Sequence, residues 1–370
     1  MFRKVLIITK SSVKKNVLQN ASSEKSMEYL KQMNDVHYIQ GLNLAERICK
    51  YFEVDVEPLE AVFDQTCREE YILRKLSKSD IDIERIDMRS SFKNEIANQT
   101  RKTRQTDPNE GKTTEPKKKV TNYDLIISLG GDGTFLSCSH LIHDNKQYLL
   151  GINSNSDSVG FLNSFKYPQF IDKADEICGR IQNKEFVTLK RKRFICDFRA
   201  LNSDCTQILG LNDVFLGTEN FGSSFRYDFT VDSEMYHNVK STGVLLYTGT
   251  GSSAWANSLN HINEQKLALI FEYFEKTATP CAIASLQEFI KEHYYIASDS
   301  DFMGYLHREL FYTKKNMRYE GIGREFEVVN NTVNGFLAID GFYYKLDIDA
   351  SVRVRIAGED KSLSCFKFEN

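Results

Sequence analysis

The stretch Asp124-Leu-Ile-Ile-Ser-Leu-Gly-Gly-Asp-Gly-Thr134 decides the fold of this chain. Leu125 to Leu129 form a short, nearly continuous apolar run, the pattern of a strand buried on both faces. Beyond the Gly-Gly-Asp-Gly turn, Phe135, Leu136, Leu141 and Ile142 recur at helical spacing, so the glycines stand where a strand ends and a helix begins. Glycines there let backbone N–H groups approach phosphate oxygens, and a helix N-terminus adds positive potential. Asp132 is costly in an anion site unless it holds Mg²⁺ or takes a proton from an attacking hydroxyl. In a plain Gly-rich turn it would serve only as a turn or cap residue.

Working outward, Val5 to Thr9 reads as a first buried strand, with Lys10-Ser11-Ser12 as the loop at its carboxyl end, where open α/β sheets line their ligand crevices. Leu42 to Phe52 and Leu59 to Leu76 show helical periodicity, and Ile81 to Ile86 alternates as a second strand. Residues 91–121 are polar and charged and predict a disordered surface loop. Tyr148 to Asn153 is a further strand, and the alternation of strands and helices implies a mostly parallel sheet. After Lys184 the texture turns to strand-like runs at Phe186–Phe198, Leu209–Gly217, Phe225–Val231, Val244–Tyr247, Gly335–Ile339 and Val352–Ile356, interrupted by helical periodicity over 263–293. The expected organisation is an α/β domain over 1–184, a β-rich domain over 185–352 with a helical insertion at 263–293, and a segment 353–370 that returns to the first domain.

With 370 residues, 41% of them hydrophobic, the chain can build two cores. A formal net charge of −3 gives no bulk reason to bind nucleic acid or an anionic membrane, and no apolar run approaches the roughly 18 residues of a membrane span. Eight scattered cysteines without a Cys-x-x-Cys pair argue against a structural zinc site and a disulfide framework, and fit a reducing compartment. The strand-like run beginning at Val5 leaves no room for a transit peptide ahead of the fold.

Three further segments gather small and hydroxyl residues around glycine. They are Gly151-Ile-Asn-Ser-Asn-Ser-Asp-Ser-Val-Gly-Phe-Leu162, Leu211-Asn-Asp-Val-Phe-Leu-Gly217 and Thr242-Gly-Val-Leu-Leu-Tyr-Thr-Gly-Thr-Gly-Ser-Ser-Ala-Trp255. Each alone is an ordinary turn pattern. In order, Gly-Gly-Asp-Gly, Gly-x-Asn…Gly-Phe-Leu, Asn-Asp, Thr-x-Thr-Gly-Ser-Ser-Ala-aromatic and Ile339-Asp-Gly341 resemble the NAD kinase family, over roughly residues 1–15 and 120–360. Thr248-Gly-Thr250, the Ser-Ala-Trp ending and the helical insertion are most similar to its mitochondrial branch.

The resemblance implies a Rossmann-like first domain of the type also found in diacylglycerol kinases, and transfer of the ATP γ-phosphoryl group, or one from polyphosphate, to the 2′-hydroxyl of the adenosine ribose of NAD⁺. It implies Mg²⁺ or another divalent cation with ATP, a homodimer and a mitochondrial location, with the cytoplasm as the alternative. Asp132 matches the catalytic aspartate; Gly130, Gly131, Gly133 and Thr134 match the phosphate turn. Asn153, Phe161, Asn212, Asp213, Thr250, Gly251, Ser252, Ser253, Ala254, Trp255 and Asp340 match residues around the dinucleotide, Phe161 and Trp255 beside the adenine. Lys10, Lys14, Arg191 and Arg193 are candidate cations for a triphosphate. Two departures weaken the carry-over: Thr242-Gly243 stands for the family's Asp-Gly, and the polar segment 151–160 is longer than the common one. The rival readings are a lipid kinase of the diacylglycerol or sphingosine type, and a non-catalytic NAD(P) sensor.

Overall fold

The computed structural model describes residues 2–10, 24–59, 62, 75–76, 120–155, 160–199, 205–220, 223–274, 279–311 and 317–368. The expected strand at 81–86, and all but the last two residues of the 91–121 loop, lie outside them. The chain divides into two compact units, Met1–Thr134 with Gly151–Ser158 and Phe165–Glu185, and Phe135–Leu150 with Val159–Ser164 and Phe186–Asn370.

In the first unit, the Lys4–Thr9 strand pairs in parallel with Glu53–Pro58 on one side and Leu125–Leu129 on the other. All five residues of Leu125–Leu129 are buried, as the apolar run predicts for an inner parallel strand. Glu53–Pro58 takes a position that no strand was expected to fill, because four acidic or proline positions hide the alternation of Val54 and Val56. The helical expectation for 59–76 fails at its end: Lys75–Leu76 pairs antiparallel with Val54–Asp55, so backbone pairing at the sheet edge overrides the periodicity there. The helix Glu24–Ile48 begins well before Leu42 and turns Leu44, Ala45 and Ile48 inward. Ala174–Asn183 buries Ala174, Ile177, Cys178 and Ile181, a single stripe at helical spacing, and ends at Lys184 in the left-handed conformation with φ 59°.

The second unit contains two six-stranded antiparallel sheets. Their inner faces share one core, with Val214, Leu216, Val244, Leu246 and Leu337 from one sheet and Phe194, Phe198, Tyr227, Phe229, Phe326 and Val354 from the other. Phe225–Val231 shows the cause plainly, since Phe225, Tyr227, Phe229 and Val231 alternate inward. The single strand expected over 209–217 is two strands, Cys205–Gly210 in one sheet and Asp213–Thr218 in the other. The chain turns between sheets at Leu211-Asn212, where both amides are claimed by a side chain rather than by a neighbouring strand. The run Phe186–Phe198 likewise breaks into Val187–Arg191 and Phe194–Arg199. Leu363–Lys367 pairs antiparallel with Val187–Arg191 and in parallel with Tyr148–Leu149.

Helices Glu264–Tyr273 and Pro280–Tyr294 occupy the span whose periodicity predicts them. Asn263 Oδ1 accepts the Lys266 N–H at 2.9 Å and Thr279 Oγ1 accepts the Ala282 N–H at 3.2 Å, so each helix starts on a side-chain cap, the second with proline in its first turn. Among the described residues no helix is long and apolar enough to cross a membrane.

Candidate functional site

The candidate residues form two constellations, one in each unit. In the first, the Leu125–Leu129 strand delivers the chain into Gly130, whose N–H donates to the Ile152 carbonyl at 2.9 Å, and the Lys10 N–H donates to the Leu129 carbonyl at 2.8 Å. The helix Asp132–Ser139 begins at Asp132 itself, which is half-buried and faces the positive end of that helix. A Cβ on Gly130 would run into the Thr134 side chain and Lys10 Cβ, so Gly130 is required by packing. On Gly131 or Gly133 a Cβ would meet nothing within 4 Å. Nothing inside the unit therefore demands glycine at those two positions, which leaves room on that side for a group from outside.

In the second unit the pivotal side chain is Asp340. It sits with Gly341 in a two-residue turn between the paired strands Gly335–Ile339 and Phe342–Leu346, with φ 47° and 88°, the positive pair that tight hairpin turns of this kind require. Its Oδ2 accepts the Leu211 N–H at 2.7 Å, and its Oδ1 accepts those of Asn212 at 2.8 Å and Asp213 at 3.1 Å. The Nε2 of His140 stands 3.0 Å from Oδ2. Burial opposes ionisation of Asp340, but the His140 contact and the backbone amides outweigh it and hold its carboxyl below the ordinary carboxylate value. Asp340 is therefore wholly committed within the protein, and acts on the Asn212–Asp213 backbone rather than presenting its carboxylate outward.

Asn212 is 5% exposed, and its buried Oδ1 has no hydrogen-bond partner among the described residues. A buried acceptor left unpaired costs about 1–3 kcal/mol, so the position is matched to a donor supplied by something else. Asp213 beside it is pushed up to about 7, first by burial and then by repulsion from the Asp340 charge.

The loop after the buried strand Gly243–Tyr247 closes on the same backbone. The Thr248 N–H donates to the Asn212 carbonyl at 2.9 Å, its hydroxyl donates to the Leu211 carbonyl at 2.5 Å, and Thr248 Oγ1 accepts the Gly251 N–H at 3.2 Å. A Cβ on Gly251 would enter the Asn212 backbone. Ser252 and Ser253 turn their hydroxyls back to the Gly249 and Thr250 carbonyls at 2.7 and 3.1 Å. Ala254 leads into the helix Trp255–Asn260, and the Trp255 ring packs against Phe215 at 4.8 Å. The structure thus brings Asn212, Asp213, Gly251 and Asp340 together by direct contacts, with Thr250 and Ser252 in the loop that Thr248 anchors to the same backbone.

The remaining candidates divide. Lys10 borders Gly130, and Asn153 is buried with its Oδ1 accepting the Asn155 N–H at 3.0 Å. Phe161 is 62% exposed. Arg191 places Nη1 3.5 Å from Thr250 Oγ1. Lys14 lies outside the described residues. Arg193 is buried, with Nε donating to the Lys361 carbonyl and Nη1 to those of Ser139 and Ile142, so it secures backbone, while Nη2 has no hydrogen-bond partner among the described residues. Residues that sequence reasoning missed are Thr248, which lies inside a motif already singled out, and His140, whose only signal is its place after the helix that Asp132 opens.

Residues 43–181 match the family described as the ATP-NAD kinase N-terminal domain. An NAD kinase of Aromatoleum aromaticum is 32% identical over 152 residues, 40% of this chain and 48% of that protein. The bifunctional NADP phosphatase/NAD kinase of Methanocaldococcus jannaschii is 29% identical over 133 residues, 36% of this chain and 22% of that protein. The chain spans about half the length of the first of these, at 48%. Among solved structures, yeast NADH kinase complexed with NADH superposes with a TM-score of 0.57 at 15% identity, covering 99% of this chain and 84% of that one, a likeness of fold. The Gly-Gly-Asp-Gly strand-to-helix turn lies inside the matched residues, so the matched part of the chain is similar to the N-terminal domain of NAD kinases.

Proposed function

We propose that the protein phosphorylates NAD⁺ at the 2′-hydroxyl of its adenosine ribose, with ATP as donor. The observation that carries this reading is the turn at Gly130–Thr134, where a buried parallel strand ends in two sterically unconstrained glycines flanking Asp132 at a helix start, within the matched kinase domain. The 2′-oxygen attacks the γ-phosphorus, a new O–P bond forms, the bond to the β,γ-bridging oxygen breaks, and ADP leaves. Asp132 accepts the hydroxyl proton or orients that oxygen, in a reaction where positioning and charge stabilisation dominate. The open side of Gly131 and Gly133 supports close approach of a phosphate to the turn. The unpaired Oδ1 of Asn212 supports contact with a ribose hydroxyl or an adenine amino group, with Asp213 beside it and the exposed Phe161 ring against the base.

Asp132 is the turn carboxylate that would help hold a divalent cation brought with the triphosphate, which would supply charge neutralisation during transfer. Among the described residues no group of three or more His, Cys, Asp or Glu forms a metal cage. A lone turn carboxylate suits an ion carried mainly by phosphates and water. Under the same reading the protein works in mitochondria as a homodimer. The Thr248–Trp255 motif supports the first, and the exposed Leu269, Tyr273, Phe274 and Phe289 of the helical insertion offer apolar surface for the second.

Incubation with NAD⁺, Mg²⁺ and ATP labelled at the γ-phosphate tests the reaction, with polyphosphate run in parallel. Label in the 2′-phosphate of NADP⁺ is the expected outcome. Binding of NAD⁺ with no transfer from either donor refutes it in favour of a sensor.

A further inference from the structure

Four residues from two distant parts of the chain meet at Asp340, and only one of them contributes a side chain. Leu211, Asn212 and Asp213 give backbone N–H groups. His140 gives its ring. The carboxylate of Asp340 is 0% exposed and the imidazole 9%. A fully buried carboxylate needs every lone pair answered, because an unpaired charge removed from water is among the most expensive defects a protein can hold. The Nε2 contact meets the distance of an ion pair but not the directed geometry of a hydrogen bond, so His140 acts on the Asp340 carboxylate by close polar approach while the three amides supply its hydrogen bonds.

The ring is fixed on both sides. The edge of Phe342, two residues after Asp340 on the returning strand, meets it at a centroid distance of 5.0 Å and an angle of 78°. His140 itself follows the helix that ends at Ser139, and Arg193 grips the carbonyls of Ser139 at 3.2 Å and Ile142 at 2.5 Å around it. A guanidinium that secures the backbone on either side of a histidine, and an aromatic wedge that sets its plane, leave the imidazole little freedom except to face Asp340.

We propose that His140 is a positioning residue for dinucleotide recognition, securing the Asp340 carboxylate that sets the backbone of Asn212 and Asp213. The inference rests on the reading that Asn212 and Asp213 hold the dinucleotide. His140 touches no substrate in this account. Without it Oδ2 keeps only the Leu211 amide, the carboxylate rotates or draws in water, and the corner that aims the Asn212 Oδ1 loosens. The effect falls on the dinucleotide, because the three amides that Asp340 holds are those of Leu211, Asn212 and Asp213.

The test compares wild type, His140→Ala and His140→Gln by amide hydrogen exchange at Leu211–Asp213 and by the separate KM values for NAD⁺ and ATP. The glutamine amide keeps an N–H donor near the Nε2 position. His140→Ala should speed exchange at those three amides at least tenfold and raise KM for NAD⁺ about tenfold, with KM for ATP changed less than twofold. His140→Gln should recover most of both. Unchanged exchange in His140→Ala, or equal rises in both KM values with no recovery in His140→Gln, overturns the proposal. If His140→Ala does not fold, His140→Gln against His140→Met repeats the comparison. If wild type binds no NAD⁺, the kinase reading fails by itself, and the exchange rates still decide whether His140 holds the corner.

Discussion

Asp340 and Asp213 bind each other reciprocally: the Asp213 N–H donates to Asp340 Oδ1 at 3.1 Å, and the Asp340 N–H donates to the Asp213 carbonyl at 3.1 Å. The turn and the corner are therefore one structural unit, and the two carboxylates inside it have opposite fates. Asp340 is held ionised by His140 and three amides, while Asp213 is pushed up to about 7.

That contrast gives a stability signature. The unfolded chain releases the Asp213 proton at the ordinary carboxylate pKa, while the folded protein keeps it until about pH 7. Within that window the folded state binds more protons, so this group's contribution to stability falls as pH rises and is lowest above pH 7. Asp213→Asn should be more stable than wild type at pH 8, on the order of 2 kcal/mol after allowing for partial exposure, and the difference should vanish by pH 4. Asp340 acts oppositely, losing its contribution only at the acid end. Denaturant melts of both proteins at the two pH values decide it; parallel stability curves would show that Asp213 is not raised.

If the unpaired Oδ1 of Asn212 meets the dinucleotide as proposed, Asn212→Ala should raise KM for NAD⁺ about tenfold and leave KM for ATP within twofold. Removing a buried, unpaired acceptor should not lower the melting temperature. A larger effect on ATP than on NAD⁺ would mean that the two nucleotides occupy the opposite places.

The glycines separate by cause. Gly251→Ala drives a Cβ into the Asn212 backbone and should cost about 1–3 kcal/mol of stability, with weaker NAD⁺ binding following from it. Gly131→Ala meets no protein atom and should stay within about 0.5 kcal/mol of wild type while raising KM for ATP severalfold. Thermal melts paired with steady-state kinetics distinguish them. Wild-type kinetics in Gly131→Ala would remove the phosphate role from that side of the turn.

Arg193→Met should destabilise the protein by about 3 kcal/mol or more, because three backbone carbonyls lose their donor in a buried setting. KM for ATP should not change in the surviving fraction, as expected for a residue that holds backbone. A selective rise in KM for ATP without loss of stability would return Arg193 to the phosphate site.

How much was legible follows from the range over which each signal acts. Leu125–Leu129 and its glycine turn are written in eleven consecutive residues, so strand, turn and catalytic candidate were all readable. Phe225–Val231 was readable because alternation is local. Glu53–Pro58 was not, since Glu53, Asp55 and Glu57 obscure two inward valines, and only pairing with Lys4–Thr9 makes it a strand. Asp340 could be seen as part of an Asp-Gly turn, but its amide partners lie 127 to 129 residues away, and no periodicity reports such a contact. His140 and Arg193 fail for the same reason: a buried polar residue takes its meaning from whichever backbone the fold brings to it.

The central claim is that Asp132 drives phosphoryl transfer to NAD⁺. It is tested most directly by measuring NADP⁺ formation from NAD⁺ and MgATP in purified wild type and Asp132→Asn, alongside NAD⁺ affinity and melting temperature. The account predicts NADP⁺ from wild type, a loss of at least about a hundredfold in kcat for Asp132→Asn, and unchanged folding and NAD⁺ binding. Near wild-type turnover in Asp132→Asn, or no NADP⁺ from the wild type, would contradict it.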